Sequence, residues 1–335
     1  MAERLKAVIG HLNYNLQNEK QNPVSAVSEL PVTSGFKYTV DNRKLTFQQR
    51  QFYEDNGFLV IKKLVPSDKL QKYRDRFAEI CRRDVVVPGL TVMRDIAIKN
   101  SEFVPGEQAV TKIQDFQNDD VLFEYCTLPE IIDYVECFTG PDIVAAHTML
   151  INKPPDSGKL TSRHPMHQDL HYFPFRPADR IVCSWTAMQT INRENGCLVV
   201  VPSTHKGQLL VHEYPKWEGG VNKMYHGIQN YSPSQHRVHL EMEEGDTVFF
   251  HPLLIHGSGA NRSKGFRKSI SCHFVWGKAH YIDIADTEQQ FIADEVLELV
   301  QKRLGPDINI TFHDIWKYKS RKVRGEDQFT KNAYK

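Results

Sequence analysis

Two textures of hydrophobic and polar positions divide this chain. Phe47–Asn56 has helical spacing and stops at Gly57, and the unbroken apolar run Phe58-Leu59-Val60-Ile61 then reads as a strand. Ser67 stands where an N-cap belongs, and Leu70, Tyr73, Phe77, Ile80 and Cys81 recur at the spacing of one buried helical stripe. Thr127-Leu128-Pro129-Glu130 has the form of a capping box with proline early in the helix. Ile131, Ile132, Val135 and Phe138 form the apolar face behind it, and Gly140-Pro141 ends the pattern. From about Asp142 the elements become short. Residues 143–152, 181–190, 197–201, 238–242, 247–251 and 268–276 read as strands separated by turn residues. The segment 288–304 is helical again, with Phe291, Ile292, Val296, Leu299 and Val300 expected inward. No βαβ alternation is present, which argues against a doubly wound parallel sheet, and there is no internal repeat. The expected fold is mainly β with flanking helices, a double-stranded β-helix (jelly roll, cupin-like) buttressed by N- and C-terminal helices. The simplest partition is a leader and spacer over residues 1–37 and one domain over 38–335.

Composition narrows the partners. The 335 residues carry 42 Lys+Arg against 41 Asp+Glu, a formal charge of +1, which leaves no basic footprint for nucleic acid. With a mean hydropathy of −0.48 and no apolar run near ~18 residues, no membrane span is expected. The six cysteines form no CxxC pair and read as reduced, mostly buried thiols of a chain kept from the secretory route, so the N-x-S/T matches at Asn230, Asn261 and Asn309 carry little meaning. The start reads MAERLKAVIGHL, followed by a hydrophilic spacer to about Ser34. Arg4-Leu5, five residues, then His11-Leu12 resembles the N-terminal peroxisomal targeting nonapeptide. On a helix, Leu5, Val8, Ile9 and Leu12 would form one apolar stripe for a receptor groove. A frayed amphipathic start is the plainer alternative.

Fifteen histidines are too many to weigh singly, so spacing must select among them. The densest cluster is Arg163-His164-Pro165-Met166-His167-Gln168-Asp169-Leu170-His171. His167 and His171 are four apart, as in a zinc-protease helix, yet Gln168 stands where a glutamate base is needed and Pro165 and Pro174 crowd a helix. On an extended strand His167 and Asp169 share one face while Gln168 points away, so imidazole and carboxylate can occupy neighbouring positions on one metal. Downstream, His251 and His256 compete as the third ligand. His251 precedes a proline and reads as a packed or capping side chain, whereas His256 opens a glycine-rich turn with Arg267 eleven residues on. The order H-x-D, H-x10-R fits the two-His-one-carboxylate face of a non-haem Fe(II) oxygenase, with positions left open for dioxygen and a chelating cosubstrate. Arg267 would then meet the far carboxylate of 2-oxoglutarate bidentately. Because the carboxylate ligand is present, hydroxylation is favoured over halogenation. The competing reading is a set of satisfied polar side chains, or a jelly-roll binding protein that holds a metal structurally.

The segments HPMHQDLHYFPFRPAD (164–179), NGCLVVVPSTHKG (195–207), YPKWEGGVNKM (214–224) and GDTVFFHPLLIHGSG (245–259) resemble the phytanoyl-CoA dioxygenase family, over nearly the whole chain from about Tyr38 to Arg324. The resemblance places iron ligands on His167, Asp169 and His256, and 2-oxoglutarate contacts on Lys112, Met149, Trp185 and Arg267 besides the His167–Asp169 segment. By themselves Lys112 reads as an exposed strand residue and Met149 and Trp185 as core. The resemblance further implies 2-hydroxylation of a 3-methyl-branched fatty acyl-CoA, with 2-oxoglutarate decarboxylated to succinate, ascorbate keeping iron ferrous, and a lipid-carrier protein among the partners. The basic run Lys317, Lys319, Arg321, Lys322 and Arg324 reads as a solvated face, with CoA phosphates as its alternative use.

Overall fold

The computed structural model describes residues 35–94, 106–232, 236–305, 307 and 309–331. The first helix, α1 (Phe47–Asn56), starts on a capping box in which Thr46 accepts from the Gln49 N–H and the Gln49 side chain accepts from the Thr46 N–H. It ends at Gly57 with φ +80°, where an added Cβ would lie 2.5 Å from the His205 ring, so both backbone and space require glycine. The chain then enters β1 (Phe58–Ile61).

Two expected caps are corrected. Ser67 is the first residue inside α2 (Ser67–Arg82), Pro66 occupies the cap position, and no side-chain cap forms. Thr127 builds no capping box, because residues 124–127 are already coiled into a 3₁₀ turn and its hydroxyl donates back to the Glu124 carbonyl at 3.0 Å. Beyond the four-residue helix α3 (Asp120–Phe123), Pro129 opens α4 (Pro129–Thr139), as expected of a residue with no N–H to lose there.

The strands build two antiparallel sheets. The larger runs β1, β12 (Thr247–Phe250), β7 (Ile181–Ala187), β14 (Arg267–Trp276), β4 (Ile143–Lys153), β3 (Lys112–Gln114) and β2 (Thr91–Met93), with β16 (Arg321–Arg324) also on β4. The smaller runs β11 (Val238–Leu240), β8 (Leu198–Val200), β13 (His256–Ser258) and β5 (His164–His167). Two short ribbons pair β6 (Phe175–Arg176) with β15 (His280–Tyr281) and β9 (His212–Glu213) with β10 (Gly227–Ile228). This is the jelly-roll, cupin-like architecture the patterning implied, with strand ends shifted by a few residues.

Alternation along β7 and β14 decides where the core sits. Cys183, Trp185 and Ala187 face the smaller sheet and pack with Phe58, Val60, Leu198, Val200, Leu240, Val248 and Phe250. Val182 on the opposite face of β7, with Ile270, Cys272 and Phe274 of β14, meets α1, α2 and α4 through Tyr53, Tyr73, Phe77, Val135 and Phe138. A third cluster joins Phe173, Phe175 and Val275 to α5 (Gln290–Leu304) and α6 (Phe312–Lys319) through Ile292, Ala293, Phe312 and Trp316. Phe291, expected inward, is 47% exposed, while Ile292 and Ala293 are buried and Val296, Leu299 and Val300 half-buried where α5 packs on the barrel.

Candidate active site

β5 ends at His167. Gln168 is extended at φ −119°, ψ 126°, and Asp169 opens a 3₁₀ turn to Tyr172, so the expected strand stops one residue short of the carboxylate. Alternation still holds across the break. The Gln168 amide turns away, donating to the carbonyls of Gln208 (3.1 Å) and Leu253 (3.0 Å) and accepting from the Leu210 N–H (2.8 Å). β13 lies antiparallel to β5 with His256 directly opposite His167. Asp169 Oδ1 is thus 3.2 Å from His167 Nε2 and 3.7 Å from His256 Nε2, and the two rings lie 4.2 Å apart. All three side chains are buried, and their ligand atoms fall within 4.8 Å of one another.

Each imidazole is aimed by its other nitrogen. His167 Nδ1 hydrogen-bonds the Pro165 carbonyl at 2.9 Å and His256 Nδ1 the Leu254 carbonyl at 2.9 Å. A carbonyl only accepts, so Nδ1 is the protonated nitrogen and Nε2 presents its lone pair to the shared space, as a metal-ligating histidine must. Burial, opposed by Asp169 and assisted by His167, lowers His256 to about 4, so it is neutral at pH 7. Burial pushes the Asp169 carboxyl up, yet the neighbouring His256, His273 and His167 side chains outweigh it and hold the group well below the usual carboxylate range.

His273 escaped the sequence reading. Its Nε2 lies 2.8 Å from Asp169 Oδ2, which leaves Oδ1 for the histidine pair. The signal was the alternation Arg267, Ser269, Ser271, His273, a polar face on an otherwise apolar strand. Cys183, His273 and Asp169 form a second grouping of ligand types. Burial pushes the Cys183 thiol well above its ordinary range, and the His273 nitrogen is already engaged, so the triad with His256 is the better metal face.

Two adjoining chambers share Lys112, Met149, His164, His167, Asp169 and His273. The first has Lys112, Met149, Trp185, Tyr225, Ser258 and Arg267 in its walls. Arg267 is 2% exposed, donates to Ser269 Oγ (2.9 Å) and the Gly196 carbonyl (3.1 Å), and lies 5.4 Å from the Trp185 ring centre. Its Nε has no hydrogen-bond partner, and no carboxylate pairs with it among the described residues. Burial lowers this guanidinium to about 10, still a cation at pH 7. Lys112 is half-buried rather than exposed, with Nζ 5.1 Å from the Tyr225 ring centre, and burial lowers it to about 8. Two cations facing an enclosed space form a receptacle for a dianion. Trp185 is buried as expected, whereas Met149 is half-buried and lines both chambers.

The second chamber, about 130 Å³, is apolar on its far side, walled by Phe173, Met224, Ile292, Val296, Phe312 and Trp316. His251 lies outside both, accepting from the Leu253 N–H at 3.2 Å, as a packed capping side chain should. His171 points away from the triad to His226 Nδ1 at 3.1 Å. In the basic run, Arg324 pairs with Glu136 and Asp133 and Arg321 with Asp120, while Lys319 turns into the second chamber beside Asp115 at 3.3 Å.

The family model described as phytanoyl-CoA dioxygenase (PhyH) matches residues 53–269. The chain is 59% identical over 330 residues to the Homo sapiens protein named "Phytanoyl-CoA dioxygenase, peroxisomal", covering 97% of each. It is 62% identical over 291 residues to the Bos taurus protein of the same name, covering 87% of this chain and 86% of that one. Among solved structures, EctD from S. alaskensis with bound Fe aligns with a TM-score of 0.56 at 13% identity, over 72% of this chain and 81% of that one, a likeness of fold. The chain belongs to the phytanoyl-CoA dioxygenase family.

Proposed function

We propose that this chain 2-hydroxylates phytanoyl-CoA, a 3-methyl-branched fatty acyl-CoA, coupled to oxidative decarboxylation of 2-oxoglutarate to succinate and CO2, the first step of fatty acid α-oxidation in the peroxisome. The observation that carries this reading is the His167–Asp169–His256 face beside a buried, carboxylate-free Arg267. Iron(II) suits the donor set, two imidazoles and one carboxylate with no fourth protein ligand in the grouping. When bound there with 2-oxoglutarate, iron supplies the activation of dioxygen.

The protein's part is positioning. His167 and His256 hold their lone pairs inward through Nδ1, and His273 holds Asp169 so that one oxygen faces them. Arg267 takes the distal carboxylate of 2-oxoglutarate through its fork, with Lys112 as a second cation and Trp185 shielding the guanidinium from water. The branched acyl chain lies in the second chamber among Phe173, Ile292 and Trp316. A 3-methyl branch blocks β-oxidation, and hydroxylation at C2 opens a route one carbon shorter. Ascorbate keeps the iron ferrous. Residues 38–335 form a single catalytic domain behind the 1–37 leader. The nonapeptide Arg4-Leu5 to His11-Leu12, which lies outside the described residues, engages the peroxisomal import receptor, and a lipid-carrier protein presents the acyl-CoA.

The test is product analysis with Fe(II), 2-oxoglutarate, ascorbate and phytanoyl-CoA. 2-Hydroxyphytanoyl-CoA and succinate in equal amounts are expected. Succinate without hydroxylated product would point to an oxygenase of another substrate, and no succinate with any acyl-CoA to a structural metal site. A tagged chain with Arg4 or His11 replaced should stay in the cytosol with full activity in extracts.

A further inference from the structure

The second chamber holds a polar atom with no assignment. His147, on β4, stands directly across from His273 on β14, with the rings stacked at 5.8 Å and 22°. Phe173 and Trp316 close on it edge-on, both at 88°. Its Nε2 is buried and has no hydrogen-bond partner. A buried ring nitrogen without a partner is costly, and such an atom in a ligand chamber points to a group the ligand brings. Of the polar groups around it, Lys319 is engaged with Asp115 at 3.3 Å, His273 with Asp169 at 2.8 Å, and the Tyr172 hydroxyl with the Met224 carbonyl at 2.9 Å, while Lys112 and Gln114 of β3 line the same chamber and are the competing donors. Burial, reinforced by Lys319, His273 and Lys112, holds His147 well below the usual histidine range, so at pH 7 it is a neutral imidazole with one N–H to give.

This step rests on the acyl-CoA reading above. The substrate carries one polar group into this apolar chamber, the thioester carbonyl, adjacent to the carbon to be hydroxylated. A carbonyl transferred from water needs a donor there. We infer that His147 is a substrate-positioning residue whose Nε2–H donates to the thioester carbonyl oxygen and so turns C2 toward the His167–Asp169–His256 face. The stack of His147 on His273 ties the carbonyl's position to the strand that orients Asp169.

The experiment compares two ligands on the metal-free protein by calorimetry: phytanoyl-CoA, and its S-alkyl thioether analogue with CH2 in place of the carbonyl. The native protein should bind the thioester about tenfold more tightly, the worth of one buried hydrogen bond. In His147→Phe, which keeps the stack and loses the donor, the ratio should fall to about one. His147→Leu asks the same question should the Phe variant fail to fold, and His147→Gln, which restores a donor, should recover part of the ratio. An unchanged ratio in the Phe or Leu variant, or loss of the ratio in Gln114→Leu or Lys112→Met, the other two donors lining this chamber, would overturn the assignment, as would equal binding of both ligands by the native protein. Failure of the native protein to bind either ligand would strike the acyl-CoA reading itself, a separate result.

Discussion

The two chambers beside the His167–Asp169–His256 face are built by different means. Most of the polar chamber's wall is strand: Lys112 on β3, Met149 on β4, Trp185 on β7, Ser258 on β13 and Arg267 on β14 are pinned by ladders of neighbouring strands. The apolar chamber has a third of its wall on α5 and α6, which follow the barrel and pack on it through Ile292, Phe312 and Trp316. On the proposed function, a cosubstrate that never varies would be met by the sheet, and a substrate with a long tail by helices laid over the mouth. The division means that binding of the two ligands can be perturbed separately, although both chambers share the metal face.

Removing the shared wall should have the largest effect. His167→Ala or Asp169→Ala is expected to drop turnover below detection while the unfolding midpoint shifts by only a few degrees; collapse of the fold at ambient temperature would recast these groups as structural. Within the polar chamber, Arg267→Lys should raise the 2-oxoglutarate KM by about 10- to 100-fold, since one ammonium cannot reproduce the fork, and leave the acyl-CoA KM alone. Behind the face, His273→Phe should weaken Fe(II) or Co(II) binding by about 10- to 100-fold, measured by metal titration. On the apolar side, Ile292→Ala should raise the phytanoyl-CoA KM several-fold with an unchanged 2-oxoglutarate KM; a change in both would erase the division between chambers. The smallest effect is one of pH. Lys112, lowered to about 8, is charged at pH 7 and loses its proton as pH rises through 8, so kcat/KM for 2-oxoglutarate should decline there by a few-fold. Lys112→Met should be lower and flat across the same range.

The polar chamber was far more legible in the sequence than the apolar one. His167, Asp169, His256 and Arg267 stand at spacings that strand alternation and metal geometry constrain, and β5, β13 and β14 bring them together. Lys112, Met149 and Trp185 were visible only by resemblance, because one lysine or methionine on a strand has no periodic signature. His273 was readable in principle from the polar alternation of β14, but serine and histidine among Ile270, Cys272 and Phe274 look like an ordinary two-faced strand until both faces are known to be covered. The caps at Ser67 and Thr127 failed for local reasons, since Ser67 is already inside the helix behind Pro66 and the Thr127 hydroxyl turns back to the Glu124 carbonyl within a 3₁₀ turn. The apolar chamber depends on how α5 rests on the barrel, a tertiary choice that left Phe291 outside and Ile292 inside.

The central claim is that one metal face serves both chambers, with Arg267 waiting for the cosubstrate. Anaerobic crystallisation with Fe(II) and 2-oxoglutarate tests it directly. The metal should lie about 2 Å from His167 Nε2, Asp169 Oδ1 and His256 Nε2, with the distal carboxylate of 2-oxoglutarate on the Arg267 guanidinium. A metal held by Cys183 and His273 instead, or a cosubstrate carboxylate away from Arg267, would contradict the account.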